Sequence, residues 1–417
     1  MEKVKADLDQ SVPTKDQKRN YWILVLSCVG LQITSSTIYM VLPVFFQNYG
    51  ISNSGVGVLI SVGTFGGVIS GIIAGKFSDR YGRKPVLTAG ALLYGIVFFF
   101  FAFLEKNFTT FLILRFIEGF AFFMIPVTVI TIAADTFPPL QLGRAIALFS
   151  VSSVVGQLIG PIFAGYFVEA SNFIVYFIFC GSFSLISLGI ILFFVKETLD
   201  KTRIHQTAVT GKRGFGQSVK NFILQTKSLG MIYLIFLAAV IIYRLGYTMV
   251  VPLFSLFLKN DLNMNMSSMS WMFAVRALCT IAFAPICGYY ADKIGRKPTF
   301  LAGIALCGIT MVSYTFVTSF GAVFMVRILD SISTVVLLTV IRTMISDMVN
   351  PRQRGFGQGL ASSISQESST IGAIFGGIIT DAFGFNGVFM TAAAGAAIAM
   401  FIVYRWVPEP AKHIGHL

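Results

Sequence analysis

Seven residues of this 417-residue chain carry charge where the sequence around them carries almost none. Arg115 and Glu118 lie in LRFIEG, Arg327 and Asp330 in VRILDS, and Arg244, Arg276 and Glu367 stand singly inside long apolar runs. A charged side chain at membrane depth is costly, so each is a functional candidate, and the chemistry open to them is ion pairing and proton transfer. The two Arg–acid pairs are spaced i,i+3, which on a helix puts both groups on one face. Glu367 sits in SSISQESST, residues 362–370, a polar patch inside an apolar run. An isolated carboxyl there can load and release a proton; one paired with Arg244 or Arg276 stays ionised and cannot. His205, His413 and His416 fall in a polar internal segment and near the C-terminus, which leaves proton handling to Asp or Glu. The chain has no HExxH, GxSxG or GxxxxGK[ST], so neither an enzyme nor a cofactor or metal site is expected. Cys28, Cys180, Cys279, Cys287 and Cys307 read as small apolar packing residues.

The elements that must position these groups follow from composition. The chain is 55% hydrophobic and 12% charged. Apolar stretches long enough to cross a hydrocarbon core of about 30 Å fall at 21–46, 54–77, 86–104, 109–134, 143–168, 173–195, 229–257, 267–290, 299–317, 320–346, 356–380 and 386–406. The expected fold is an all-α membrane protein with twelve transmembrane helices. The first stretch exceeds a signal-peptide core and reads as a retained helix. The net charge of +13 invites a nucleic-acid reading, but the positions of the 31 Lys and Arg oppose it. Only Lys106 and Lys259 fall on one side of the expected membrane, and Arg115, Arg244, Arg276, Arg327 and Arg342 lie within apolar stretches. The others share the side of the N-terminus, as the positive-inside rule requires of cytoplasmic N- and C-termini. The bilayer, not nucleic acid, is the expected partner.

The chain repeats itself. GKFSDRYGRKP, residues 75–85, returns as GYYADKIGRKP, residues 288–298, and LRFIEG at 114–119 returns as VRILDS at 326–331. Asp135, Pro139 and Gly143 match Asp347, Pro351 and Gly355, and YMVLPVF at 39–45 is answered by TMVVPLF at 248–254. The implied organisation is two six-helix pseudo-repeats in the same orientation. The expected parts are a cytoplasmic tail at 1–20, bundles at 21–195 and 229–406, a cytoplasmic linker at 196–228 and a tail at 407–417. Homologous bundles joined this way create a cleft along their pseudo-twofold axis, where a substrate site belongs. Polar stripes at Gln32, Ser36 and Tyr39, at Arg244 and Tyr247, and at Gln366 and Glu367, with Arg276, are expected to face it.

In each copy of the charged phrase a glycine, Gly82 or Gly295, permits a sharp reversal, and Pro85 or Pro298 suits the first turn of the next helix. Asp79 and Asp292 close the preceding helix, where the helix dipole disfavours an anion, so Arg83 and Arg296 are expected as partners. The pattern Gly-x-x-x-Asp-Arg/Lys-x-Gly-Arg-Arg/Lys resembles the loop 2–3 signature of the major facilitator superfamily. It is matched by Gly75, Asp79, Arg80, Gly82, Arg83 and Lys84, and again by Gly288, Asp292, Lys293, Gly295, Arg296 and Lys297. The resemblance covers essentially the whole chain and implies a charged cytoplasmic gate at both phrases. Symmetry of the repeat adds Arg83 with Asp135 and Arg296 with Asp347 as expected second links.

RFIEG resembles the family's fourth-helix motif through Arg115 and Gly119, with Glu118 in place of Gln. GQLIGPIFAG, residues 156–165, resembles the fifth-helix motif associated with antiporters. Gly156, Gly160, Pro161 and Gly165 match, Ala164 replaces a glycine and Ala147 stands where an upstream glycine is expected. Close helix packing through small residues is the other reading of that segment. The resemblance implies a monomeric plasma-membrane carrier, most simply a proton-coupled antiporter that exports amphipathic small molecules by alternating access. Carriage of small organic anions or sugars, and a non-transporting receptor of the same fold, are the alternatives. Glu367, with Glu118, Arg115, Asp330 and Arg327, is the expected coupling set.

Overall fold

The computed structural model describes residues 13–199, 224–350 and 353–409. The three histidines, Pro351, most of the expected linker and most of both tails lie outside the described residues. Among those described, the regular elements are helices: α1 (Lys15–Ser36), α2 (Ile38–Asn48), α3 (Asn53–Tyr81), α4 (Arg83–Phe103), α5 (Phe108–Thr136), α6 (Pro139–Ala170) and α7 (Phe173–Phe194). They continue as α8 (Met231–Val250), α9 (Phe254–Asn260), α10 (Met266–Ile294), α11 (Arg296–Tyr314), α12 (Phe320–Met348) and α13 (Arg354–Trp406). Eleven stretches among the described residues are long and apolar enough to span a membrane. The last, α13, has 53 residues and is interrupted at Gly384, whose φ of +68° favours glycine. At about 1.5 Å per residue it has length for two crossings.

Local sequence sets the helix ends. Thr14 Oγ1 accepts from Gln17 N and Gln17 Oε1 accepts from Thr14 N, a reciprocal cap that starts α1 at Lys15. The expected tail at 1–20 is corrected there: residues 15–20 are already helical. Asn107, Asn172 and Ser319 cap α5, α7 and α12 through their side chains. The expected linker is also more ordered at its start, where Asn20 Nδ2 donates to Lys196 O at 3.1 Å and Lys196 N donates to Asn20 Oδ1 at 2.7 Å. The expected stretch 229–257 resolves into α8 and α9 around a turn after Val250.

The chain forms two compact units. In the first, α4 packs on α5 and α7, and α1 packs on α6. In the second, α11 packs on α12 and α13, and α8 packs on α13. Phe177 lies 4.8 Å from Phe45 and 5.4 Å from Phe101 in the core of the first unit; Phe389 lies 4.9 Å from Phe257 and 5.2 Å from Tyr314 in the core of the second. These centroid spacings suit edge-on and offset ring contacts. Two short segments are parted from their flanking sequence by this division. Phe46–Ser61 packs within the second unit and Met266–Ala274 within the first.

Candidate functional site

The charged turns are built alike. Gly82, with φ +113°, and Gly295, with φ +120°, turn the chain between α3 and α4 and between α10 and α11. No other residue adopts such angles without strain. Arg83 then bridges two aspartates: Nη1 donates to Asp79 Oδ1 at 2.5 Å and Nε to Asp135 Oδ2 at 2.9 Å. Arg296 bridges Asp292 and Asp347, the latter at 3.2 Å. Both expected second links are therefore in contact. Lys84 Nζ donates to Leu192 O at 2.8 Å and Lys297 Nζ to Tyr404 O at 3.0 Å, each reaching the end of the last helix of its unit. Arg80 lies over the Tyr81 ring and Lys293 over the Tyr289 ring.

Two further carboxylates complete the turns, and motif reading misses them. Glu197 accepts from Arg83 N at 2.9 Å and Lys84 N at 3.0 Å, and Glu409 accepts from Arg296 N at 2.6 Å and Lys297 N at 2.9 Å. Each satisfies donors of a helix's first turn that lack intrahelical acceptors, and each complements the dipole. A Cβ on Gly82 would lie 2.5 Å from Glu197 Oε2, and one on Gly295 would lie 2.9 Å from Glu409 Oε1, so the glycines also make room for the acids. Burial pushes the Glu197 carboxyl up, but backbone donors from Leu199, Arg83, Lys84 and Thr198 outweigh it and hold the group below its ordinary value. The available signal was recurrence: Glu197 and Glu409 stand 212 positions apart, the offset of the Arg–acid pairs.

At membrane depth, Arg115 and Glu118 form a buried ion pair in the first unit, and Arg327 Nη1 donates to Asp330 Oδ2 at 2.9 Å in the second, also buried. The Arg327 guanidinium lies 4.3 Å from the Phe254 ring centroid, a further source of cation stabilisation. Arg244, Arg276 and Glu367 all belong to the second unit, and none of them makes an ion pair among the described residues. Of the two alternatives open for Glu367, isolated or paired with Arg244 or Arg276, the described residues contain no such pair. Arg244 Nε is buried with no hydrogen-bond partner among the described residues. Glu367 is exposed on a face shared with Ser363, Gln366 and Thr370, while Ser368 and Gly372 pack inward. Thr248 Oγ1 of α8 donates to Ser368 O at 2.8 Å, and a Cβ on Gly372 would meet Thr248 Oγ1 at 2.2 Å. This seam fixes which face of α13 is left outward.

The polar stripes separate on inspection. Ser36 Oγ donates to Gly156 O at 2.8 Å, and a Cβ on Gly156 or Gly160 would fall within 2.5 Å of Gln32 or Ser36. Ser36 is therefore committed to the seam between α1 and α6, and Gln32 packs its backbone and Cβ there while its amide oxygen accepts from Ser35 Oγ of the same helix at 3.4 Å. Tyr39 is half-buried. Tyr247 is buried and its hydroxyl accepts from Thr334 Oγ1 at 3.1 Å, so it too is held within its unit. Gly156 and Gly160 serve the close packing their spacing implies, with Pro161 inside the same helix, and Gly165 approaches Ser270.

The Major Facilitator Superfamily sequence profile matches residues 24–243 and again residues 236–415. The chain belongs to the major facilitator superfamily. It is thus a multi-pass membrane transporter by family. Among superfamily relatives, it is 24% identical to "Multidrug resistance protein MdtG" of Proteus mirabilis over 94% of this chain and 96% of the relative. It is 23% identical to "Quinolone resistance protein NorA" of Staphylococcus aureus over 87% of this chain and 90% of the relative. Its fold is similar to that of the D-xylose-proton symporter, with a TM-score of 0.73, 17% identity, and coverage of 94% of this chain and 98% of that one.

Proposed function

We propose that this transporter exports amphipathic small molecules in exchange for protons, by alternating access across the plasma membrane, and that Glu367 carries the proton. One observation carries the reading. Of the acids of the expected coupling set, Glu118 and Asp330 are tied to arginines, and Glu367 makes no ion pair among the described residues. Glu367 can change protonation without breaking a buried ion pair, a step that costs about 3–5 kcal/mol when one partner is lost. It stands 13 residues into α13, about 20 Å along the axis, so a charged form facing lipid would be costly. The reading therefore requires water to reach that face during the transport cycle. Full-length similarity to proteins named for multidrug and quinolone resistance supports export of amphipathic compounds. The match of Gly156, Gly160, Pro161 and Gly165 to the antiporter-associated motif supports exchange.

The test is flux in proteoliposomes with and without a pH gradient. Glu367→Gln is expected to abolish gradient-driven accumulation of a lipophilic cation while downhill exchange persists; accumulation surviving intact removes Glu367 from the coupling role. A second reading, carriage of organic anions, is favoured by Arg244 and Arg276, two cations without ion pairs among the described residues. In that case Arg244→Ala abolishes anion uptake and Glu367→Gln tightens anion binding.

A further inference from the structure

The two segments that leave their own half of the chain for the other compact unit are each held by one carboxylate. Asp381 of α13 accepts from Asn53 N at 3.2 Å and Ser54 N at 2.8 Å, the first backbone donors of α3, and from the Asn53 side-chain amide Nδ2 at 2.9 Å. Ser52 Oγ takes the next free donor, Gly55 N, at 3.2 Å. The start of α3 is therefore capped partly by its own loop and partly by a residue 328 positions away. In the first unit, Glu169 of α6 accepts from Ser267 N at 2.9 Å and from the Ser267 hydroxyl, at the start of α10. A carboxylate on helix N-terminal donors makes charge-assisted bonds and meets the positive end of the dipole.

A glycine precedes each acid by one helical turn. A Cβ on Gly377 would lie 2.4 Å from Asn53 O, and one on Gly165 would lie 2.7 Å from Met266 O, so the capped segments rest on bare backbone beside the acid. Gly57 extends this seam along α3, where its Cβ would meet Ala373 O at 2.3 Å, and Ser61 Oγ donates to Thr370 O at 2.6 Å. Gly165 and Gly377, and Glu169 and Asp381, are each 212 positions apart, so the same glycine–acid device occurs twice. Both sit at the ends of α3 and α10 remote from the charged turns. Gly165 closes the antiporter-associated motif, and this contact gives it a specific task.

We infer that Asp381 and Glu169 are paired latches, each docking the first turns of α3 or α10 in this conformation and releasing them in the other half of the transport cycle. The inference rests on the alternating-access reading above. Hydrogen bonds of this kind can be exchanged for bonds to water at a membrane surface at a modest net cost, which suits a contact that must open, and the glycine seam beneath supplies the fit that makes closure specific.

The test begins with accessibility. All five native cysteines are buried, so the unaltered protein gives a low labelling background. In Ser54→Cys, labelling by a membrane-impermeant maleimide added on the side opposite the charged turns should rise about tenfold when Asp381→Asn and Glu169→Gln are combined with it, the scale of one charged hydrogen bond lost. Unchanged labelling overturns the latch. The second arm replaces Ser54 and Asp381 by cysteines and oxidises them. Transport of a lipophilic cation should stop and return on reduction; full transport by the cross-linked protein overturns the requirement for release. Labelling needs neither substrate nor gradient, so its failure counts against the latch alone. A rise in labelling in a protein that moves no substrate counts against the proposed function instead.

Discussion

Arg83 and Arg296 each bridge two aspartates at the same turn of the same phrase, yet the Arg83 side chain is 8% exposed and that of Arg296 22%. Residue differences explain the gap. Ser78 Oγ accepts a third bond from Arg83 Nη1 at 3.2 Å, and the matching position 213 residues later is Ala291, which has no acceptor. Glu197 also accepts from Thr198 N and Leu199 N, at 2.9 and 3.0 Å. Glu409 is followed by Pro410, which has no N–H to give. The first turn is a closed set of bonds and the second is a looser copy. A repeated motif therefore conserves a wiring plan while its neighbours set how firmly the wires hold.

The largest effect should come from breaking the arginines themselves. Arg83→Ala strands Asp135, Asp79 and Ser78, and transport at matched protein levels is expected to fall more than tenfold, on a scale of about 1.5–3 kcal/mol for a charged hydrogen bond. Arg296→Ala should cost only a few-fold, because the Arg296 guanidinium is the more exposed of the two and lacks the third acceptor that Ser78 gives Arg83. Equal losses would break the comparison. Double-mutant cycles in thermal unfolding sharpen it: Arg83 with Asp135 should couple by about 1–2 kcal/mol and Arg296 with Asp347 by less, whereas strict additivity at both would dissolve the links.

Acidification probes the first turn next. The Glu197 carboxyl is held below its ordinary value, so its contribution is fully present above about pH 4.3 and is lost as pH falls through the lower folded value. The melting temperature of the wild type should drop over that acid range, and Glu197→Gln, less stable at neutral pH, should lack that part of the drop. An identical acid profile in both would remove Glu197 from the turn's stability. The smallest effect belongs to the serine. Ser78→Ala should cost about 0.5–1.5 kcal/mol, and Ala291→Ser should return part of that to the second turn. Thermal shifts of opposite sign would check the swap.

Much of this arrangement is legible in the sequence because it is local or repeated. Apolar runs mark the spans, i,i+3 spacing joins Arg115 to Glu118 and Arg327 to Asp330, and recurrence pairs Arg83 with Asp135. What escapes is contact across long separations. Glu197 serves donors 114 and 113 positions away, and nothing in VKETL announces it. Gln32 and Ser36 form a polar stripe that reads alike whether it meets water or a glycine seam. The Thr14–Gln17 cap was readable, but Lys15, Lys18 and Arg19 give that segment the look of a tail. Glu367 shows the converse: its depth follows from its place in an apolar run, and its lack of an ion pair among the described residues needs the fold.

Proton exchange at Glu367 is the central claim, and proton release tests it most directly. Purified protein in weakly buffered detergent, titrated with a lipophilic cation such as tetraphenylphosphonium at a series of pH values, should release protons as substrate binds wherever the coupling carboxyl still holds one, because linkage between substrate and proton is reciprocal. The account predicts that release from the wild type and none from Glu367→Gln, with substrate still bound. Equal proton release from both proteins would contradict it.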